Sequence, residues 1–222
     1  MTTFLLLRHA HSSANASGVL AGRLKGVHLS EIGNKQSIEI AGVLKDAEIR
    51  RIYSSPLERC IETLEPLARK RSKRIAKLPL VIEMDYGMWS GRALKELRHE
   101  KLWQRIQRQP SQVTFPSGES FQSAARRIER ALTALAKKYP KSTLLICSHG
   151  DIIKIAVQLT LGGELDKFQR IIIDPASLTT IAWSGKDRAV VSVNNRLTKK
   201  SSKKLKLKTF KNRRVVGGGS DV

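Results

Sequence analysis

The sequence predicts an α/β fold of three layers, α/β/α, around a mostly parallel central sheet, and three observations carry that expectation. Phe4-Leu5-Leu6-Leu7 is apolar without alternation, as in a strand covered on both faces. Leu144-Leu145-Ile146-Cys147 repeats that character far downstream. Around them, short apolar runs alternate with stretches whose apolar residues recur at helical spacing, the pattern of a sheet with helices on both sides.

The first strand spans about Thr3 to Arg8, followed by a loop with Gly18, Gly22 and Gly26. Ser30-Glu31 opens a helix to about Lys45, with Ile32, Ile38, Ile40, Val43 and Leu44 as its apolar stripe. Ile49 to Tyr53 forms a second strand that stops at Ser54-Ser55-Pro56. Leu57, Cys60, Ile61, Leu64 and Leu67 then recur at helical spacing, with Pro66 near the end. Pro79 to Ile82 reads as extended, residues 93 to 108 as a strongly basic helix, and Pro116 to Ser120 as a turn. A long amphipathic helix follows to about Lys138, with Phe121, Ala125, Ile128, Leu132 and Leu135 inward. Lys141 to Ser148 is the second apolar strand, and Asp151 to Leu161 a helix closed by Gly162-Gly163. Strands near Gln169–Ile173, Leu178–Trp183 and Ala189–Val193 complete a domain over residues 1–195.

With 222 residues, 41% hydrophobic, the chain buries one good core rather than two. Its apolar runs are too short for a signal-peptide core or a membrane span, which points to the cytoplasm. Cys60 and Cys147 fall in a predicted helix and a predicted core strand, and are expected to be buried thiols. The net charge of +22 is unevenly placed: ten Lys/Arg against Asp221 give residues 196–222 a charge of +9. Such a tail has too few apolar residues to fold alone and is expected to be disordered. Its charge would attract nucleic acid or an anionic surface without specificity; a solvated tail is the equal alternative.

Chemistry concentrates at strand ends. Arg8-His9 closes the first strand and His149 follows the later one, so both imidazoles should enter one crevice beyond the carboxyl ends of the strands. Phosphate-ester hydrolysis needs a nucleophile, a cationic clamp on the phosphoryl oxygens and a proton donor for the leaving group. His9 suits the nucleophile if it is neutral, and the charges of Arg8 and Arg59 would disfavour its imidazolium. A backbone carbonyl in the following loop would fix its tautomer. Arg59 lies on the first turn of a helix, His149 would donate to the phosphoryl oxygens, and Glu83 is the leading acid.

Leu7-Arg8-His9-Ala10 with Asn15, Ser54 to Arg59 with Thr63, Glu83 before Tyr86-Gly87-Met88-Trp89-Ser90-Gly91, Gly118-Glu119-Ser120 and Ser148-His149-Gly150 occur in order. Together they resemble the histidine phosphatase superfamily, whose fold is phosphoglycerate-mutase-like; the resemblance covers roughly residues 1 to 195. It implies that His9 is transiently phosphorylated, and that Arg8, Arg59 and His149 bind the phosphoryl group. Asn15, Ser12 and the Gly150 amide are implied as lesser contacts, Glu83 as the proton donor, and Gly22, on a looser match, as a neighbour of the substrate. No cofactor and no metal are implied, and His9-Ala10-His11 is a poor start for a zinc site. Ala10 stands where the family usually has glycine, and alanine resists a positive φ.

These features predict a phosphomonoester hydrolase acting on a small phosphorylated metabolite. A phosphomutase is the alternative within the family, disfavoured because Glu83-Met84-Asp85-Tyr86 lacks an arginine and the chain is compact. A nucleic-acid-associated binding protein using the basic tail is the alternative of another class.

Overall fold

Side chains alternate across a strand, and the first strand shows what that does here. Phe4 and Leu6 enter one buried cluster with Met84, Ile128, Leu132 and Ile152. Leu5 and Leu7 enter a second with Ile40, Leu44, Leu64 and Leu67. A strand that is apolar on both faces therefore divides two cores, one on each side of the sheet.

The computed structural model describes residues 1–185 and 187–197. Its strands are β1 (Thr2–Arg8), β2 (Arg51–Ser54), β3 (Ile75–Lys77), β4 (Thr143–Ser148), β5 (Ser177–Ser184) and β6 (Asp187–Arg196). Its helices are α1 (Ser13–Ser17), α2 (Glu31–Leu44), α3 (Glu58–Lys70), α4 (Leu94–Leu97), α5 (Lys101–Arg108), α6 (Phe121–Lys138) and α7 (Gly150–Leu161). The sheet order is β3-β2-β4-β1-β5-β6. β3, β2, β4 and β1 pair in parallel, while β5 runs antiparallel to both β1 and β6. This is the expected α/β/α arrangement, with α2 and α3 supplying one outer layer and α6 and α7 the other.

Register decides where the chemistry falls. Arg8 pairs with Ser148, and Ser54 and Leu7 flank Cys147 from either side. The next residues, Ser55, His9 and His149, consequently leave three adjacent strands at nearly one level. β4 sits between β1 and β2, although it comes much later in the chain. That insertion opens the crevice in which open α/β sheets hold ligands.

Several local expectations are corrected. Ile32 and Ile38 are 58% and 60% exposed, so the buried stripe of α2 is Ile40, Ala41, Val43 and Leu44. Pro79 to Val81 is a 3-10 turn, not extended chain: proline presets φ for its first position. No strand forms at 169–173. Leu165–Arg170 is a 3-10 helix, and the Ile173 carbonyl accepts from the Arg8 side chain instead of from a sheet neighbour. The helix expected over 93–108 is divided into α4 and α5. β3 was not foreseen, because its three residues lie among cations and present a weak apolar signal. α3 continues through Pro66 to Lys70. Cys60 and Cys147 are buried free thiols, as expected. Of the tail, Arg196 ends β6 and Leu197 is buried; the expected disorder concerns residues 198–222, outside the described residues.

Leu5→Ala, at a site with 0% exposure, should cost about 2–5 kcal/mol of unfolding free energy in urea titrations. Ile32→Ser should stay within about 0.5 kcal/mol, and a cost near that of Leu5→Ala would contradict the solvent-facing placement of Ile32.

Candidate active site

Beyond the carboxyl ends of β1 and β4 lies a cavity of about 520 Å³. Arg8, His9, Ser12, Asn15, Gly22, Arg59, Glu83 and Gly150, eight of the nine residues singled out from the sequence, line it. His149 stands directly behind them. Its ring is completely buried, and its centroid lies 5.3 Å from that of His9 in an edge-on arrangement.

His9 is 4% exposed, and its Nδ1 lies 2.8 Å from the Ala10 carbonyl. A carbonyl only accepts, so the proton is on Nδ1 and Nε2 keeps its lone pair. Burial holds this imidazole well below the usual histidine range, and the Arg59 and Arg8 charges push the same way. Desolvation thus outweighs the charges that the sequence pointed to. Ala10 has no positive φ; its amide donates to Thr63 Oγ1 at 2.9 Å, so alanine fits where a glycine was anticipated. His11 faces away from the cavity and bonds Ser30.

The cationic clamp is built from two elements, β1 and α3. Arg59, on the first turn of α3, is 1% exposed; its Nη2 donates to the Gly22 carbonyl at 2.8 Å and to His149 Nδ1 at 3.3 Å. Arg8 donates through Nη1 to the Ile173 carbonyl. Arg59 Nη1 and Arg8 Nε are buried and have no partner in the protein. An unsatisfied buried donor costs about 1–3 kcal/mol, more when charged, and two of them on one cavity wall mark a place prepared for an anion. The unused first amides of α7, beginning at Gly150, add the positive end of a helix dipole.

Gly22 has φ +53°, and a Cβ there would come within 2.7 Å of Ser90 Oγ. Only glycine brings that carbonyl under Arg59. Ser12 caps α1, and its amide and hydroxyl both donate to Asn15 Oδ1 at 3.0 Å. With its oxygen occupied, Asn15 has its amide NH₂ left to offer the cavity.

Glu83 is 8% exposed, and its Oε1 accepts from the Met84 amide at 2.9 Å. Burial, reinforced by the Asp151 charge, pushes this carboxyl up to about 7. It is therefore a carboxylic acid that keeps a proton near neutrality. His149 differs from expectation. Its Nδ1 accepts from Arg59, so Nε2 carries the proton and donates to Ser55 Oγ at 2.8 Å. In this state it orients Arg59, and it can donate from Nδ1 only after taking up a further proton. Burial and the Arg59 charge hold it well below the usual histidine range.

Other residues complete the site. Tyr86 lines the cavity and donates to Asp151 Oδ2 at 2.9 Å. Glu119 accepts from Arg23, Arg127 and the Asp85 amide, and both arginines also donate to the Glu83 carbonyl. Gly118-Glu119-Ser120 was visible as a motif but carried no role, and nothing local distinguished Arg127 from other basic residues of its helix. Among the described residues no three His, Cys, Asp or Glu side chains form a metal-binding group.

Residues 4–196 match the histidine phosphatase superfamily, branch 1. The chain belongs to this superfamily. It is 31% identical to phosphoserine phosphatase 1 of Hydrogenobacter thermophilus, over 87% of this chain and 92% of that one. It is also 29% identical to the adenosylcobalamin/alpha-ribazole phosphatase of Salmonella typhimurium, over 68% of this chain and 76% of that one. Among solved structures, Bacillus stearothermophilus YhfR has the same fold, with a TM-score of 0.81 at 23% identity over 89% of this chain and 98% of that one. This histidine phosphatase is an enzyme, a hydrolase of phosphomonoesters.

Two measurements test this electrostatic arrangement. Inorganic phosphate should satisfy the orphaned guanidinium donors and stabilise the fold by about 2.7 kcal/mol at a hundredfold excess over Kd. Arg59→Met should abolish most of that thermal shift; an undiminished shift would place the anion elsewhere. Because the folded-state pKa of Glu83, about 7, lies above its ordinary 4.5, folding takes up a proton across that interval. Its contribution to stability falls as pH rises from 4.5 to 7, so Glu83→Gln should lose less stability than the parent between about pH 5 and 8 in urea titrations.

Proposed function

We propose that this phosphatase works through a phosphohistidine on His9 Nε2, with Glu83 as the proton carrier and a small phosphorylated metabolite as substrate. The single observation behind this reading is the grouping of a neutral histidine, two orphaned guanidinium donors and a protonated carboxyl on one cavity wall.

The phosphoryl group docks against Arg8 Nε and Arg59 Nη1, with the Asn15 amide and the Gly150 amide as further donors. The His9 Nε2 lone pair attacks phosphorus, the P–O ester bond breaks, and the departing oxygen takes the Glu83 proton. The Nδ1–H bond to Ala10 spreads the positive charge that develops on the ring. Glu83, now a carboxylate, removes a proton from a water that attacks the phosphohistidine. Inorganic phosphate leaves and both groups return to their starting state. The arginines act most strongly in the transition state, where charge moves onto the equatorial oxygens.

The leaving group faces a different surface. Val19, Leu20, Leu94, Trp103, Ile106 and Ile171 also line the cavity, with Lys154, Gln169 and Gln107 among the polar residues of the same lining. Lys154 lies 3.4 Å from Asp151 and 3.1 Å from Gln169, so its charge is partly compensated. This wall supports a metabolite with some apolar surface. Phosphoserine is the first compound to test because of the phosphoserine phosphatase relative. A phosphomutase is not favoured, since both named relatives are phosphatases. Two buried free thiols support a reducing compartment, the cytoplasm, and among the described residues no helix is long and apolar enough to cross a membrane.

His9→Ala should abolish turnover and the acid-labile label left by a ³²P-phosphomonoester. Glu83→Gln should slow alkyl phosphates by about 10²–10⁴-fold and aryl phosphates with good leaving groups far less. Equal slowing of both would assign Glu83 another role, and a labelled His9→Ala variant would remove His9 as the nucleophile.

A further inference from the structure

The opposite end of the sheet carries a charged surface that this chemistry does not use. From Arg69 to Lys77 the chain has six cations in nine residues and no acid. These residues form the last turn of α3, the turn after it and the edge strand β3. Two of the cations are held in place by backbone. Arg71 donates to the carbonyls of Leu44 and Lys45, and Lys73 Nζ to those of Ile49 and Arg50.

The neighbouring strands extend the surface. Arg50 and Arg51 stand where β2 begins, and Lys138 and Lys141 just before β4. The Arg50 guanidinium lies 5.3 Å from the centroid of the Tyr139 ring and the Lys138 ammonium 5.6 Å from it. Tyr139 is in turn bonded to Tyr53 on β2 at 3.2 Å. The cations thus form one continuous field from the end of α6, across the starts of β4 and β2, to the end of α3. Lys73 reports the crowding: besides burial, Arg71 and Arg51 lower its affinity for a proton.

Little of this charge is neutralised. Arg69 pairs with Glu65 at 3.8 Å; among the described residues no carboxylate pairs with the cations from Lys70 to Lys77, with Arg50 or Arg51, or with Lys138 or Lys141. Like charges held this close oppose folding. A polyanion would relieve that repulsion. Duplex nucleic acid offers one phosphate per ~1.7 Å of axis, a density that matches a broad cationic field better than one small anion does. A lipid surface fits less well, because amphipathic membrane binding buries apolar side chains beside the charges. The exposed large apolar residues, among them Ile32, Met88, Leu161 and Ile172, all lie outside this field.

We propose that the β3 edge, with the adjoining ends of α3 and α6, is a sequence-independent docking surface for the phosphate backbone of duplex nucleic acid. It is separate from the catalytic cavity. The cavity opens beyond the carboxyl ends of β1 and β4, and the six residues of β4 put about 20 Å between it and the cations at the strand starts; Lys77, level with Ser54, is the member nearest the carboxyl ends. The residues of the docking surface are other than those of the tail, 196–222, to which the sequence assigned such an attraction.

The test uses the full chain, a fluorescein-labelled DNA duplex of about 30 base pairs and anisotropy across a KCl series from about 0.05 to 0.2 M. The parent chain should bind with a micromolar Kd at the lower salt. The fourfold variant Arg51→Gln, Lys70→Gln, Arg74→Gln, Lys141→Gln should bind at least tenfold more weakly. Its slope of log Kd against log salt should fall by up to about 3.6, since each lost phosphate contact is worth roughly 0.9. Substituting Gln for Lys203, Lys204, Lys206 and Lys208 tests the tail at equal charge change and should weaken binding less. Turnover of a small phosphomonoester should be unchanged in the fourfold variant, which certifies its folding; if that variant does not fold, Lys70→Gln with Arg74→Gln gives the same comparison at about half the slope change. The proposal is overturned by a parent chain that does not bind duplex, by a surface variant with parental affinity and slope, or by a tail variant that loses more affinity than the surface variant. It is equally overturned if phosphatidylserine vesicles bind through the same residues and duplex cannot displace them. Retained turnover in His9→Ala would count against the catalytic reading and leave this one standing.

Discussion

Two guanidinium groups pair with no carboxylate among the described residues, although each holds a nitrogen shut away from water, and the active-site architecture depends on that constraint. Arg59 is almost fully buried, yet its acceptors are a backbone carbonyl and a histidine nitrogen, and one terminal nitrogen has no partner. A carboxylate beside it would satisfy that nitrogen and occupy the phosphoryl position. Glu83 is near enough to do so: its Oε2 is 3.8 Å from His149 Nδ1, which itself touches Arg59. Burial and the Asp151 charge keep Glu83 protonated near neutrality, and thereby keep the clamp open. The same desolvation that makes Glu83 an acid makes His9 a free base. One physical cause sets both protonation states in the useful sense.

Such an arrangement costs stability, and the surrounding structure supplies it. Unpartnered charged donors weigh heavily against a net folding free energy of about 5–15 kcal/mol. The compensation lies in two cores on either side of β1 and β4. It lies also in a polar brace behind the site, where Glu119 gathers Arg23, Arg127 and the Asp85 amide. That brace holds the Glu83 loop by its carbonyl and leaves the carboxyl group untouched. Tyr86 and Lys154 do comparable work for Asp151, whose charge tunes Glu83 from a fixed position.

The cavity joins two unlike surfaces: a polar end that recognises any phosphoryl group and a mostly apolar wall that meets whatever is attached to it. The match over residues 4–196 sets superfamily membership, and the proposed selectivity among substrates rests on the second surface. The basic field on the far end of the sheet belongs to neither. Substitutions there should therefore leave the chemistry undisturbed.

The sequence by itself determined the layered α/β fold and the superfamily, and it singled out eight residues that line one cavity. Unbroken apolar runs have one stable placement in such a chain, a strand covered on both faces. Histidines at the ends of two such strands must then share a crevice. Local signals failed where a segment's conformation is set by something distant. Residues 169–173 look like a strand, but the Ile173 carbonyl is taken by Arg8. Ile32 and Ile38 look like core residues, but the face of α2 that packs is the one bearing Ile40 and Leu44. Only the tertiary structure decided which nitrogen of His149 carries the proton, that Arg127 and Glu119 brace Glu83, and that cations from three separate segments make one surface. Protonation and electrostatics depend on burial and on neighbours far away in the chain, quantities that folding creates and a linear pattern does not contain.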